Sequence, residues 1–368
     1  MKIIGFCRSL FLLEMSPGAW WKSVVAATLG VILGIALLSW IVDPHYRYRL
    51  PTWYQTVYYE AYATAPRLLR DMDYDVLMIG SSMCRNFYLN DIDAALGGKS
   101  IKISASGATA RDLKKLFDTA LEAKGPGLKR VIFCLDTYAL NKTDPHWLEF
   151  EHMYDHGHAR DYRYLFARKT LSSIMYLRKR VTRPRGKRAI QADPNLMFST
   201  EYAGTRYSMD EVAGSAKSYK FMHHTMTPVR EGWEETFRET ILEMTDAHPE
   251  IEFIFLALPY HIYSYCLSAD FGEADGLLKQ RSEVLRELLK RRNVKIYDFQ
   301  CAPEIICDGS LYTDVQHFSS ALARRLLAAA AGDDSRYRIR TLEDVDEHER
   351  SLRALIAEKM PEYERDVR

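Results

Sequence analysis

Apolar residues along this chain follow three patterns in succession. From Ser23 to Val42 the run SVVAATLGVILGIALLSWIV spans twenty residues without a charge. From about residue 72 to 331, short apolar runs alternate with stretches whose apolar residues recur every three or four positions. From about 336 onward charge dominates, and the pattern reads as a peripheral helix with a frayed end. The middle pattern predicts strands at Asp75–Ile79, Lys99–Ile103, Arg130–Leu135, Glu252–Leu258 and Val294–Tyr297. Between them, Arg111–Ala123 sets Leu113, Leu116, Phe117 and Ala120 on one face, and Glu234–Ala247, Leu277–Arg291 and Ser320–Ala331 have helical spacing. This alternation predicts an α/β fold: a three-layer α/β/α, flavodoxin-like domain with a mainly parallel five-stranded sheet.

The uncharged run has the length needed to cross a hydrocarbon core of roughly 30 Å as a helix. Trp20, Trp21 and Trp40 stand at its ends, where indoles favour the membrane interface. A cleaved signal peptide is the rival reading, but the run is long for one, and Asp43-Pro44-His45-Tyr46 follows in place of a small-x-small cleavage site. Lys2, Arg8 and Lys22, offset by Glu14, precede the run, and Arg47 and Arg49 follow it. That balance leans towards a cytoplasmic N-terminus at residues 1–22, a single span at 23–42, and the remainder outside the cytoplasm. The expected order is then a connector at 43–71, a domain at 72–331 with an insertion at about 141–233, and a charged helical segment at 332–368.

Lysine and arginine (50) balance aspartate and glutamate (49), so net charge gives no argument for nucleic acid. One local excess stands out. Seven of the eleven residues from Arg178 to Arg188 are cationic, which is either a solvated loop or a contact for anionic lipid or an anionic polymer. Of six cysteines, Cys84 and Cys134 lie beside apolar strands as small core residues, and Cys301 and Cys307 are close enough to bridge a short loop. His156, His158, His223 and His224 read as incidental loop histidines, and no metal is expected at them. No phosphate-binding loop, dinucleotide fingerprint or zinc-finger spacing occurs, and no cofactor is expected.

The chemistry gathers at the carboxyl ends of the predicted strands, where ligands bind in such sheets. Tyr312-Thr313-Asp314-Val315-Gln316-His317-Phe318 places a carboxylate three residues before a histidine, spaced to orient and polarise it as the base for a serine. The first predicted strand runs into Gly80-Ser81-Ser82. Ser82 is the candidate nucleophile and Ser81 the fallback; alternatively both merely cap the next helix. Gly107, in a small-residue turn after the second strand, offers either an oxyanion-donating amide or only a tight turn. Tyr260 and His261, after the fourth strand, are candidates for the rim of the substrate site.

A strand ending in Gly-x-Ser, a glycine turn after the next strand, and a late Asp-x-x-His resemble the SGNH (GDSL-like) hydrolase superfamily over about residues 72–331. The resemblance is greatest to its membrane-anchored envelope branch, which includes the D-alanylation protein of lipoteichoic acid synthesis and the alginate acetylation proteins. It implies Ser82 as nucleophile, His317 as base and Asp314 as its orienter, with the Ser82 and Gly107 amides as oxyanion donors. It further implies O-acyl transfer, O-acetylation above all, to an envelope polysaccharide or teichoic-acid-like polymer at a bacterial inner membrane, beside a membrane-bound O-acyltransferase. A carbohydrate esterase using the same triad and a non-catalytic scaffold are the alternatives. One departure is plain: the third strand ends in Leu135-Asp136-Thr137-Tyr138-Ala139-Leu140-Asn141 rather than Gly-x-Asn-Asp. Asn141 or Asn86 would have to stand in for the missing asparagine donor.

Overall fold

The computed structural model describes residues 16–142, 144–182, 192–201, 204–222 and 228–368. The predicted strands form as β1 (Val76–Gly80), β2 (Ser100–Ser104), β3 (Arg130–Leu135), β4 (Glu252–Ala257) and β5 (Val294–Asp298). They pair in parallel in the order β2-β1-β3-β4-β5. A sixth strand, β6 (Arg338–Ile339), adds to β5 antiparallel, so the sheet has six strands rather than five. Two residues inside a charged segment carry no alternating pattern, which is why β6 is invisible before the chain is folded.

Every residue of β1 and β2 is buried. Successive strand side chains point to opposite faces, so burial of all of them requires cover on both. Helices supply it. The longer ones are α1 (Pro17–Val42), α2 (Ala61–Asp71), α3 (Leu89–Leu96), α4 (Ala110–Lys124), α5 (Arg168–Thr182), α6 (Met209–Phe221), α7 (Ile262–Asp270), α8 (Ala274–Leu288), α9 (Ser320–Ala331) and α10 (Leu342–Val367), of which α2, α3, α4 and α8 pack directly on the strands. The helical stretch predicted from Glu234 forms with a π turn at Arg238–Leu242 in its middle. Helix α4 starts on a reciprocal cap, in which Thr109 and Asp112 each accept from the other's backbone amide.

Two flanking segments prove to be part of the core. In the connector, Tyr46, Val57 and Tyr58 are buried, and α2 packs against α4 and β2. At the far end, α10 buries Val345, Leu352, Ile356 and Tyr363 against α7 and α8, so the charged C-terminal helix is integral rather than peripheral. Some of its polar residues also face inward: Glu349 accepts from the Ser282 hydroxyl and Asp366 from the Tyr263 hydroxyl.

Among the described residues one helix, α1, is long and apolar enough to cross a membrane, with mean hydropathy 2.4. It joins the domain through a tight junction. Asp43 caps it in the left-handed region at φ 43° and accepts from the amides of Arg47, Tyr48 and Arg49 and from the Tyr164 hydroxyl. The Ser39 hydroxyl donates to the Leu165 carbonyl at 2.8 Å.

In the order β2-β1-β3, the chain leaves β1 to one side for β2 and returns on the other side for β3. The carboxyl ends of β1 and β3 therefore face a topological switch point, the crevice where such sheets hold ligands. A Cβ at Gly80 would lie 2.5 Å from the Cys134 Cβ, so β1 and β3 approach this crevice only with glycine at the end of β1.

Candidate active site

The two serines after β1 have different fates. Ser81 is buried; its hydroxyl accepts from the Met83 amide at 3.3 Å, capping the short turn Ser82–Cys84, and donates to Asp136 Oδ2 at 3.0 Å. Ser82, the first residue of that turn, points into a cavity of about 510 Å³. Its Oγ lies 2.8 Å from His317 Nε2. On the other side of the ring, His317 Nδ1 lies 2.8 Å from Asp314 Oδ2.

Local structure fixes that second contact. Asp314 Oδ1 accepts from the amides of Gln316 and His317, both at 2.7 Å, so the carboxylate is held by the same turn that presents the imidazole. Burial raises the Asp314 carboxyl, but the His317 hydrogen bond and charge and the two amides outweigh it and leave the group below the usual carboxylate range. An ionised Asp314 only accepts, so Nδ1 carries the proton of that contact and Nε2 is the ring atom that faces Ser82. The loop itself is closed by a bridge between Tyr312 and Phe318.

Asn86 straps the serine turn to the histidine loop. Its Nδ2 donates to the Phe318 carbonyl at 2.7 Å, and its Oδ1 accepts from the Ser199 hydroxyl at 3.2 Å. Glu201 adds a second strap, accepting from the Ser320 amide and from the hydroxyls of Tyr88 and Tyr207. Ser199 and Glu201 belong to the insertion, and Thr200, Arg206, Tyr207 and Glu211 of the same insertion line the cavity with Arg85 and Asn86. Of these wall residues the sequence singled out only Asn86, as a stand-in oxyanion donor, and its Nδ2 is taken by the Phe318 carbonyl; the others carry no pattern along the chain.

The structure separates other predicted residues from the cavity. Asn141 is buried, and its amide pairs reciprocally with that of Gln280 at 3.0 and 2.8 Å while also accepting from the Arg230 amide. Its donor is already used, so it is a packing residue here. Gly107 adopts φ +69°, a conformation that favours glycine, with its carbonyl 3.4 Å from Lys142 Nζ. It does not line the Ser82 cavity; its neighbour Ser106 lines an adjoining one.

Tyr260 and His261 sit behind the site, not on its rim. The Tyr260 hydroxyl donates to Asp136 Oδ1 at 2.5 Å, so Tyr260 and Ser81 hold one buried carboxylate between them. Burial raises the Asp136 carboxyl, and these hydrogen bonds only partly offset that. His261 is buried against Tyr263 and Tyr312, and burial pushes its imidazole down to about 4. Its backbone amide donates to the Val315 carbonyl at 3.0 Å, pinning the loop between Asp314 and His317. A proline and polar residues after a strand look alike whether they face solvent or a neighbouring loop.

Elsewhere, Cys301 and Cys307 are free thiols, so the short bridged loop does not form. Asp298, Cys301 and His348 converge within 4.8 Å. The Arg281 guanidinium already holds the same Asp298 oxygen as His348, placing positive charge where a cation would sit. This cluster latches α10 to the end of β5. His156 and His158 pair with Glu122 and Asp161 on the surface. His223, His224 and the basic run beyond Thr182 lie outside the described residues, as does Cys7.

No family model and no curated protein matches the chain. A solved structure from Streptococcus pneumonia, provisionally named as a platelet activating factor, is similar over 84% of this chain and 99% of its own, with 12% identity and a TM-score of 0.37.

Proposed function

We propose that this chain is a membrane-anchored serine acyltransferase of the SGNH type, acting outside the cytoplasm on hydroxyl groups of an envelope polysaccharide or teichoic-acid-like polymer. The observation that carries the reading is the continuous contact Ser82 Oγ, His317 Nε2, His317 Nδ1, Asp314 Oδ2, with both links at 2.8 Å. A serine hydroxyl attacks only when a base within hydrogen-bond reach takes its proton, and a neutral histidine backed by an ionised carboxylate is such a base.

In the proposed reaction Ser82 Oγ attacks the carbonyl carbon of an activated acyl donor while its proton passes to His317 Nε2. The tetrahedral oxyanion rests on the Ser82 amide. Collapse expels the donor's leaving group, which takes the proton from His317, and an acyl-Ser82 ester remains. An acceptor hydroxyl then gives its proton to His317 and attacks that ester, and Ser82 recovers the proton as it leaves. Asp314 stabilises the imidazolium in both halves. A sugar hydroxyl as acceptor makes the protein an O-acetyltransferase; water makes it an esterase on the same path. A membrane-bound O-acyltransferase is the partner this reading calls for as the source of acyl groups.

The test is pre-steady-state acylation by p-nitrophenyl acetate, comparing the full chain in detergent with Ser82→Ala and His317→Ala. A burst of one acyl group per chain that both substitutions abolish is the expected result. No burst from wild type, in the presence of correct folding, leaves the scaffold alternative standing.

A further inference from the structure

Helix α5 lies beside the end of α1. Leu177 of α5 is buried against Val57 and Tyr59, and Val42, the last residue of α1, packs on the same cluster with Tyr54 and Val181. One turn of chain away, the Leu165 carbonyl accepts from Ser39 inside α1. Two elements in contact with the final turn of a span are held at the depth where hydrocarbon gives way to headgroups.

The outward residues there match that boundary. Trp53 and Met175 are each 62% exposed, and Phe166 and Tyr176 are exposed beside them. Arg168, Arg178 and Lys179 on α5 are also exposed, and none of these three has a carboxylate partner among the described residues. Large apolar and aromatic side chains interleaved with unpaired cations are costly on a surface bathed in water. They are favourable where rings sink into the headgroup layer and cations meet lipid phosphates.

We infer that α5 and the adjoining Phe166 and Trp53 form a membrane-seated platform, docked on the headgroup layer of an anionic bilayer and rigidly joined to the end of α1. The inference rests on α1 being a span. Helix α5 and Phe166 belong to the same insertion that walls the Ser82 cavity through Thr200 and Glu201, so the platform sets the standing of the cavity relative to the bilayer.

Photo-crosslinking tests it. p-Benzoylphenylalanine replaces Met175, Phe166 or Leu342 in the full chain, which is reconstituted into nanodiscs of phosphatidylcholine with or without phosphatidylglycerol. Leu342 is an exposed control on a different part of the fold: it opens α10, which packs on α6, α7 and α8, whereas α5 packs on the end of α1. The expected result is lipid adducts at positions 175 and 166 at least about fivefold above position 342, with the yield at 175 falling in phosphatidylglycerol discs on Arg178→Glu with Lys179→Glu. Equal yields at all three positions in a chain that co-migrates with the discs overturn the platform and leave the span intact. A chain that fails to enter the discs overturns both. A protein adduct at 175 in native membranes, in place of lipid, assigns the face to a protein partner and also overturns the inference.

Discussion

Ser81 Oγ donates to Asp136 Oδ2 at 3.0 Å, while the neighbouring Ser82 Oγ contacts His317 Nε2 at 2.8 Å. Adjacent serines thus turn opposite ways, one down into a buried carboxylate, the other up into the cavity. The two substitutions separate structure from chemistry. Ser82→Ala is expected to abolish acylation and leave the unfolding transition in place. Ser81→Ala removes a donor from buried Asp136 and is expected to lower stability by about 1–3 kcal/mol, with acylation retained in the folded fraction. Thermal unfolding and burst amplitude, measured on both variants, check this pair; a burst lost in Ser81→Ala and kept in Ser82→Ala reverses the roles.

Asp314→Asn keeps the shape of the turn but changes what the side chain offers. An amide nitrogen facing His317 Nδ1 donates, the ring responds by protonating Nε2, and the lone pair aimed at Ser82 disappears. Acylation is expected to fall on the order of 10⁴-fold, as for the equivalent change in a serine triad. Single-turnover rates settle the matter, with an unchanged Ser82–His317 distance as the structural control.

Asn141 offers a check on the oxyanion assignment. Its amide is engaged by Gln280, so Asn141→Ala is expected to cost about 1–3 kcal/mol of stability by stranding that partner, with the acylation rate per folded molecule unchanged. A large loss of rate with unaltered stability would return Asn141 to the site.

Acid is expected to destabilise the fold before the carboxylates titrate. Burial pushes both His45 and His261 down to about 4, the former also repelled by Lys169 and His152. Between the unfolded value near 6.5 and the folded value, the unfolded chain binds the extra proton, so stability is complete above that window and is lost as pH falls through it. His261→Asn retains an acceptor for the Tyr263 amide but does not titrate. It is expected to remove up to about 3 kcal/mol of the loss, read from unfolding midpoints across the window. An unflattened profile would show that His261 is not the group responsible.

Much of this molecule is legible from the order of its residues. Five strands, the helix of Ser320–Ala331 and the long apolar run of α1 follow from local periodicity, because apolar spacing dictates which elements can bury a face. The pairing of Asp314 with His317 is also local: three residues apart, both sit on one turn whose amides fix the carboxylate.

The remaining decisions required distance in the chain to become distance in space. Which of Ser81 and Ser82 meets His317 depends on how the turn after β1 is held by Asp136 and Tyr260, contributed by the segments that follow β3 and β4. Tyr260 and His261 read as rim residues because nothing in a strand-ending turn reveals whether a loop will cover it, and here the Asp314 loop does. Asn141 and Glu201 found their partners, Gln280 and Ser320, more than a hundred residues away. Local pattern determined the elements and the base with its carboxylate; the packing of those elements decided which hydroxyl the base faces, since long-range hydrogen bonds depend on fold geometry that no short window of sequence contains.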